Sequence, residues 1–266
     1  MMNNVFKIII VCLFSTLVGG CANTSEEKPY KGAEVDSLSL HDVTYGKIEA
    51  RMMVGKGSGI INAFFTWKDG SQKPTVFWEE VDIEVFGKNN ATTWQSNVIS
   101  GFDPRSHSEQ VHRQDESLAD GFHTYSIEWT PEYISWHFDG QLVRTMSGQL
   151  ATEIKSPAGI SFNIWPSTIP TWAGWWDDSV LPQSLFINWV KYYSYENGDF
   201  ILDWVDEFES FDGNRWGKAD WSFASNRADF DPRNVVVQDG MLILSLTKSE
   251  ETGFGGTVPQ DSIGGE

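Results

Sequence analysis

Apolar and polar residues alternate along most of the chain, in short runs separated by glycine, asparagine and aspartate. A period of two is typical of β-strands with one buried face. Two such runs flank Asp139-Gly140, a pair that predicts a tight hairpin turn. The pattern favours an all-β protein, a two-sheet antiparallel sandwich of jelly-roll type. The runs are YGKIEARMMV, INAFFTW, VDIEVFG, TWQSNVISG, FHTYSIEWT, YISWHFDGQLVRTM, ISFNIW, FINWVKYYSY and MLILSLT.

The beginning of the chain has a different pattern. An apolar run from Ile8 to Val18 follows Lys7 and is too short to cross a bilayer comfortably, so residues 1–20 are predicted to be an export signal. The end of this run, VGGC, resembles a bacterial lipobox. Acylation of Cys21 would anchor the protein to the cell envelope, with the outer membrane as the expected location. A conventionally cleaved signal and a secreted protein is the alternative.

Three further segments follow the predicted signal. Residues 21–36 are polar and without periodicity, which predicts a tether. Residues 37–259 are predicted to form a single domain, and residues 260–266 a tail. The polar break ENGD could separate two domains, but the part after it is too small to bury a sandwich core alone. Both cysteines lie in the leader region, so no disulfide is expected in the domain.

The charge of the chain restricts its partners. A formal net charge of -18 excludes binding to nucleic acid or to an anionic lipid surface, because both require clustered Lys and Arg. With 13 tryptophans and 17 phenylalanines, the chain can instead offer aromatic faces beside carboxylates and amides, which suits a neutral polysaccharide. We expect a monomer that binds such a substrate.

The stretch WEEVDIEVFG, residues 78–87, carries the candidate chemistry. Alternation puts Glu80, Asp82 and Glu84 on one face and Glu79 on the opposite, apolar face. Glu80 and Glu84 have Cα atoms about 13 Å apart in a strand, and a curved sheet could bring their carboxyl groups to the roughly 5 Å that a retaining glycosidase needs. Three carboxyls so close cannot all ionise cheaply, so one should serve as an acid. A solvated acidic strand face is the alternative.

Several motifs in this order resemble glycoside hydrolase family 16: YGKIEARM, WEEVDIEVFGK, GFHTYSIEWTPEYISWHFDGQLVR, FNIW and FINWVKYY. The E-x-D-x-E form resembles the lichenases, which are 1,3-1,4-β-D-glucan endohydrolases; laminarinases usually have one more residue before the last Glu. The segment beginning DEFESFDGNRWGKADW stands after NWVKYYSY rather than before YGKIEARM. This order resembles naturally circularly permuted members of the family. The resemblance implies one concanavalin-like jelly roll.

The resemblance also implies roles for individual residues. Glu80 resembles the nucleophile, Glu84 the general acid and base, and Asp82 the residue that assists them. Trp67, Asp69 and Ser161 replace a tyrosine, an asparagine and an arginine of the permuted relatives, which puts subsite affinities in doubt. Positions that resemble substrate contacts are Phe65, Trp67, Trp78, Gln95, Asn97, Asn163, Trp165, Trp172, Asp220, Trp221 and Asn226.

Members of the family often hold a structural calcium ion, and no cofactor is expected for catalysis. Asn188, Glu207 and Gly240 resemble the ligand positions, and oxygen ligands suit Ca²⁺. Three unrelated turn residues are the alternative. Two other functions also remain open. One is a family 16 hydrolase acting on laminarin, agar or xyloglucan. The other is a non-catalytic glycan-binding lipoprotein, which would not need both Glu80 and Glu84.

Overall fold

A computed structural model describes residues 27–261, in which β-strands are the dominant regular secondary structure. The strands are β1 (Tyr30–Asp36), β2 (Gly46–Met53), β3 (Ile60–Trp67), β4 (Trp78–Phe86), β5 (Thr93–Gly101), β6 (Ser106–His107), β7 (Gln110–Arg113), β8 (His123–Trp129), β9 (Tyr133–Phe138), β10 (Gln141–Ser147), β11 (Gly159–Pro166), β12 (Gln183–Glu196), β13 (Asp199–Asp206), β14 (Gly217–Lys218), β15 (Ala228–Phe230), β16 (Val235–Gln238) and β17 (Met241–Lys248). The short helices are α1 (Lys88–Ala91), α2 (Gln149–Thr152), α3 (Pro170–Ala173) and the 3-10 turns Asp178–Val180 and Pro232–Asn234.

Two antiparallel layers make up the fold. One layer, called here the site sheet, has the order β1-β11-β3-β4-β5, with β6 and β7 on the far edge of β5. The other, called the back sheet, has the order β16-β17-β12-β2-β8-β9-β10, and β13 pairs with the second half of β12. The all-β, two-sheet jelly-roll prediction is confirmed.

Alternation along β4 sends one set of side chains into the space between the layers. Val81, Ile83 and Val85 are fully buried there. The indole of Trp136, on β9 of the back sheet, donates a 3.0 Å hydrogen bond to the backbone carbonyl of Asp82. The core therefore holds β4 from behind and leaves its other face open.

Two tight turns follow the expected chemistry. Phe138 pairs with Gln141 across Asp139-Gly140, and both turn residues have positive φ, 46° and 74°, as a two-residue hairpin turn requires. The ENGD break is also a hairpin, joining β12 to β13. The chain after this turn returns to the same two layers, since β17 pairs with both β12 and β1.

The tether prediction for residues 21–36 is wrong over its second half, and the ordered domain begins before residue 37. β1 pairs with β11 and β17 and contributes to both layers. Ala33 and Val35 are fully buried, while Glu34 between them faces the other side. The polar composition of the run concealed this alternation. The side chain of Lys28 further fixes the start of β1, because its Nζ donates to the carbonyl oxygens of Phe223 and Asn226.

Both chain ends extend beyond the described residues. The predicted signal over residues 1–20 and the acylation site Cys21 lie outside them. The predicted tail is described as far as Asp261, whose carboxylate accepts hydrogen bonds from Arg51 at 2.8 and 2.9 Å, so its first residues pack on the back sheet. None of the helices between residues 27 and 261 has the length and hydrophobicity needed to cross a bilayer.

Candidate active site

Three of the four acidic residues of β4, Glu80, Asp82 and Glu84, face away from the core, as alternation predicts. The indole Nε1 of Trp78 donates a 2.6 Å hydrogen bond to Oε2 of Glu80. The amide Nε2 of Gln95 donates a 3.0 Å hydrogen bond to Oε2 of Glu84. Asp82, between them, shares a hydrogen bond with Glu80. Each outer carboxyl thus has its own neutral donor.

Register places the other predicted contacts around this row. Phe65 and Asn97 stand opposite Asp82 on β3 and β5, and Trp67 stands opposite Glu80. Asn163 and Trp165 lie on the same face of β11, one strand further across the sheet. Asp82, Gln95, Asn97 and Asn163 are buried although no second sheet covers this face. Taller side chains on either side therefore enclose them in a groove, named here the open-face groove.

Tryptophans form one wall of the groove. The rings of Trp165 and Trp172 lie 5.9 Å apart, and Phe86 packs edge-on against Trp172 at 5.5 Å. Phe223 bridges Trp165 to Trp221, with ring centres 4.9 and 5.8 Å away. Trp221 remains half exposed, which leaves a flat apolar surface free for stacking. Of these aromatic residues, Phe86 and Phe223 were not among the predicted substrate contacts. Their aromatic side chains are visible in the sequence, but no motif assigned them to the groove.

Two polar contacts complete the predicted set. Asp220 is exposed beside Trp221 on the loop before β15. Asn226 is buried, its Oδ1 accepts from the backbone of Ala228, and its Nδ2 has no hydrogen-bond partner within residues 27–261. The β-bridge between Asn226 and Ser167 places this amide next to the end of β11. The predicted contacts on β3, β4, β5 and β11 therefore share one face of the site sheet, and Asn226 adjoins the end of β11.

Burial raises the pKa values of Glu80, Asp82 and Glu84. Burial raises the pKa of Glu80 to about 7, against the lowering effect of Trp78, Asp82 and the charge of Arg105. Burial and the charges of Glu80 and Glu109 raise the pKa of Glu84 to about 8, against the lowering effect of Gln95. Burial and both neighbouring glutamates raise the pKa of Asp82 well above its ordinary range. Trp78, Asp82 and Arg105 thus favour the ionised form of Glu80, whereas the charges of Glu80 and Glu109 oppose ionisation of Glu84.

Glu79, on the opposite face of β4, is surrounded by hydrogen-bond donors of the protein itself. Its carboxylate accepts from Nζ of Lys68 at 2.8 Å, from the hydroxyl of Ser156 at 2.6 Å, and from the backbone N–H groups of Lys155 and Ser156. Burial would raise its pKa, but these donors together lower it. Glu79 therefore ties β4 to the segment before β11, on the opposite side from the groove.

Three ionisable residues near the groove were not predicted from the sequence: Glu34, Arg105 and Glu109. Glu34 on β1 is buried and accepts a 2.8 Å hydrogen bond from Nδ2 of Asn163. Burial raises the pKa of Glu34 to about 8, and the charges of Asp36 and Glu80 add to this. Arg105 and Glu109 come from the segment between β5 and β7. The alternation of apolar and polar residues in GAEVD could have indicated which way Glu34 faces. Arg105 and Glu109 lie in or beside a loop, where the sequence has no such pattern.

The predicted calcium positions lie near one another in the back sheet. Ile187 pairs with Leu242 and Val190 with Asp206, so Asn188 adjoins both the turn at Gly240 and the end of β13 at Glu207. Nδ2 of Asn188 donates a 2.9 Å hydrogen bond to Asp261. Within residues 27–261 no three His, Cys, Asp or Glu side chains are grouped to hold a metal ion. The donors present are an amide, an exposed carboxylate and backbone carbonyls, which is a chemistry that fits Ca²⁺.

Comparison with known proteins agrees with this geometry. The sequence profile of glycosyl hydrolases family 16 matches residues 19–191. The chain is 41% identical to a beta-glucanase of Fibrobacter succinogenes over 97% of its own length and 76% of that protein. The chain belongs to glycosyl hydrolase family 16. It is therefore a glycoside hydrolase, and the family 16 resemblance of its motifs is confirmed.

Solved structures of family 16 agree in fold. The beta-glucanase of Bacillus licheniformis superposes with a TM-score of 0.53 at 27% identity, covering 63% of this chain and 78% of that one. A prokaryotic beta-1,3-1,4-glucanase (lichenase) from a mouse hindgut metagenome gives a TM-score of 0.50 at 26% identity, covering 60% and 78%. These two enzymes thus share the fold of this chain.

Proposed function

We propose that this family 16 hydrolase cleaves mixed-linkage 1,3-1,4-β-D-glucan inside the chain and retains the anomeric configuration. The arrangement on β4 supports the proposal most directly. Glu80, Asp82 and Glu84 share one face without a bulge, and Trp78 and Gln95 fix the two outer carboxyls. The lichenase named among the similar structures and the beta-glucanase relative support the choice of substrate.

The proposed reaction has two displacements. Glu84, protonated in the free enzyme, gives its proton to the leaving glycosidic oxygen while the carboxylate of Glu80 attacks the anomeric carbon. A covalent glycosyl enzyme forms and the glucan leaving group departs with the proton. Glu84, now ionised, takes a proton from water as the water attacks the same carbon, and Glu80 is released as a carboxylate.

Asp82 and the tryptophans have supporting roles in this proposal. Asp82, kept neutral by burial and by its acidic neighbours, donates a hydrogen bond to Glu80 and limits its basicity. Trp165, Trp172 and Trp221 offer apolar ring faces on which glucose units stack. Oδ1 of Asn163 and Nδ2 of Asn226 are buried and have no hydrogen-bond partner within residues 27–261. In this proposal, sugar hydroxyls form hydrogen bonds with these two atoms.

One experiment tests both the residues and the stereochemistry. Wild type, Glu80→Gln, Glu84→Gln and the exposed-site control Glu132→Gln are incubated with lichenan, laminarin and carboxymethylcellulose. We expect reducing ends from lichenan with wild type and control, loss of at least about 1000-fold in the two site variants, and unchanged circular dichroism. Proton NMR of the first product should show the β-anomer. Initial α-anomer would contradict retention, and faster hydrolysis of laminarin would contradict the substrate assignment.

A family 16 enzyme acting on laminarin, agar or xyloglucan is the second candidate, and the substitutions at Trp67, Asp69 and Ser161 are the reason to test it. Binding to lichenan without hydrolysis by wild type would instead favour the non-catalytic glycan-binding lipoprotein.

We further propose that the enzyme is a lipid-anchored monomer with a permuted chain order. The permutation is supported by the family profile, which ends at residue 191, whereas the match to the Fibrobacter protein continues over 97% of the chain. Labelling with radioactive palmitate, lost in Cys21→Ala, tests the anchor. Gel filtration tests the monomer.

A calcium ion at Asn188, Glu207 and Gly240 is the last part of the proposal. Its expected role is to stabilise the back sheet, with no part in the chemistry. Melting temperature in EDTA and after Ca²⁺ addition tests it; equal values would contradict it.

A further inference from the structure

The loop between β5 and β6, residues 102–105, lies beside the start of β4. Gly101 stands opposite Trp78 on the β4–β5 ladder. Phe102 packs edge-on against Phe77, with ring centres 5.4 Å apart. β6, which follows at once, pairs with β5. The loop is therefore fixed relative to the start of β4.

Arg105 is the residue that this loop places in the groove. Its guanidinium carbon lies 3.7 Å from the centre of the Trp78 ring, a stacked cation–π contact. The side chain of Arg105 is 18% exposed and forms an ion pair with Asp103 at 3.3 Å. Burial on the ring and pairing with Asp103 hold it in one orientation.

The indole connects this cation to Glu80. Trp78 receives Arg105 on its ring face and donates from its ring edge to Oε2 of Glu80 at 2.6 Å. The stacked guanidinium restrains rotation of the ring, and the ring position sets the hydrogen bond. The charge of Arg105 favours the ionised form of Glu80.

The other charged groups that face Glu80 are acidic. Asp82 and Glu84 stand on β4 itself, and Glu34 faces the same region from β1. Trp67, the neighbour of Glu80 on β3, is neutral. A nucleophile must be a carboxylate, and acidic neighbours oppose its ionisation. Arg105 supplies the compensating positive charge.

We propose that Arg105 is a positioning residue for the nucleophile: it fixes the Trp78 indole that hydrogen-bonds Glu80 and places a positive charge next to that carboxylate. The inference rests on the proposed function, in which Glu80 attacks the anomeric carbon. According to this inference, a residue outside the E-x-D-x-E strand helps to give Glu80 and Glu84 different protonation states.

The test compares pH profiles of kcat/KM on lichenan for wild type, Arg105→Gln, Arg105→Lys and Arg113→Gln. Arg113→Gln is the matched control, since it removes the same charge from an exposed residue of β7, at the other end of β5. The acid limb of the profile reports the pKa of the group that must be ionised. We expect Arg105→Gln to move this limb upward by about 0.5 pH units or more. We expect Arg113→Gln to match wild type.

Arg105→Lys separates charge from stacking. It should keep the acid limb but lower kcat, because an ammonium group does not restrain the ring as a planar guanidinium does. A purely structural role would change thermal stability and leave the limb in place. An acid limb in Arg105→Gln that coincides with wild type, or an equal shift in Arg113→Gln, would overturn the inference.

If Arg105→Gln does not fold, Arg105→Met, which keeps the length and the apolar stem of the side chain, replaces it; its acid limb should also move upward, and an unmoved limb counts against the inference. Wild type that does not hydrolyse lichenan contradicts the proposed function. Active wild type with unshifted variants contradicts only the role of Arg105.

Discussion

Nδ2 of Asn163 donates a 2.8 Å hydrogen bond to Oε2 of Glu34, and the two residues face each other across the β1–β11 ladder. Burial raises the pKa of Glu34 to about 8, so this carboxyl is mostly protonated at neutral pH. The bond occupies the amide nitrogen of Asn163 and fixes which way the amide points. Its Oδ1 is left buried and without a hydrogen-bond partner inside residues 27–261. A sugar hydroxyl can satisfy that oxygen.

Glu34→Leu should therefore weaken catalysis although Glu34 lies outside the β4 row. With no acceptor at residue 34, the Asn163 amide is free to turn. We expect kcat/KM on lichenan to fall about five- to tenfold, the equivalent of one net hydrogen bond of about 1 kcal/mol. Glu34→Gln keeps an acceptor and no charge, and should stay within about twofold of wild type. Equal kinetics for the Leu and Gln variants would contradict the role of Glu34.

The groove was predictable from sequence where a strand pattern carried the information. WEEVDIEVFG has a strict period of two, so the shared face of Glu80, Asp82 and Glu84, and the separate role of Glu79, follow from alternation. SFNIW placed Asn163 and Trp165 together for the same reason. Both assignments agree with the observed register.

Other parts depend on long-range pairing, which no local pattern shows. Glu34 meets Asn163 although 129 residues separate them, and β1 was interpreted as a tether because its polar residues outnumber Ala33 and Val35. Arg105 reaches Trp78 from a loop, where side-chain direction has no period. Such contacts are fixed by strand order and loop packing, so they emerge only in the folded chain.

Glu109 gives a prediction for the alkaline limb of activity. Its negative charge contributes to the raised pKa of Glu84, after burial and Glu80. Glu84 must be protonated to act as the acid, so kcat/KM falls as pH rises through that pKa. Removing a negative neighbour lowers the pKa of Glu84. Glu109→Gln should move the alkaline limb to lower pH by about 0.3 units, with the acid limb unchanged. An upward shift would contradict the electrostatic assignment.

Glu79 should matter for stability and not for chemistry. Its buried carboxylate accepts from Lys68, Ser156 and the backbone of Lys155. In Glu79→Gln the amide NH2 group is itself a donor, so it cannot accept the hydrogen bonds that one carboxylate oxygen accepts in wild type. We expect Glu79→Gln to lower the free energy of unfolding by about 2–3 kcal/mol, measured by urea denaturation. Because the folded pKa is lowered, the contribution of Glu79 is present above the unfolded pKa and lost as pH falls through the folded value.

The difference between Glu79→Gln and wild type should accordingly shrink below about pH 4, as the carboxyl titrates in the unfolded chain. Glu132→Gln, at an exposed position, is the matched control and should unfold with wild type at every pH. The folded fraction of Glu79→Gln at 25 °C should hydrolyse lichenan at the wild-type rate. A loss of kcat in fully folded protein would assign Glu79 to the site after all.

Two tryptophans three residues apart should behave differently. Trp172 contacts Phe86 and Trp165 in the groove wall, whereas the side chain of Trp175 is 79% exposed. Trp172→Ala removes a stacking surface and should raise KM for lichenan about tenfold, the equivalent of about 1.4 kcal/mol, with a smaller effect on kcat. Trp175→Ala, the matched control, should leave KM unchanged. A larger effect at Trp175 would mean that the glucan leaves the groove over the loop after α3 instead of along the Trp165–Trp172 wall.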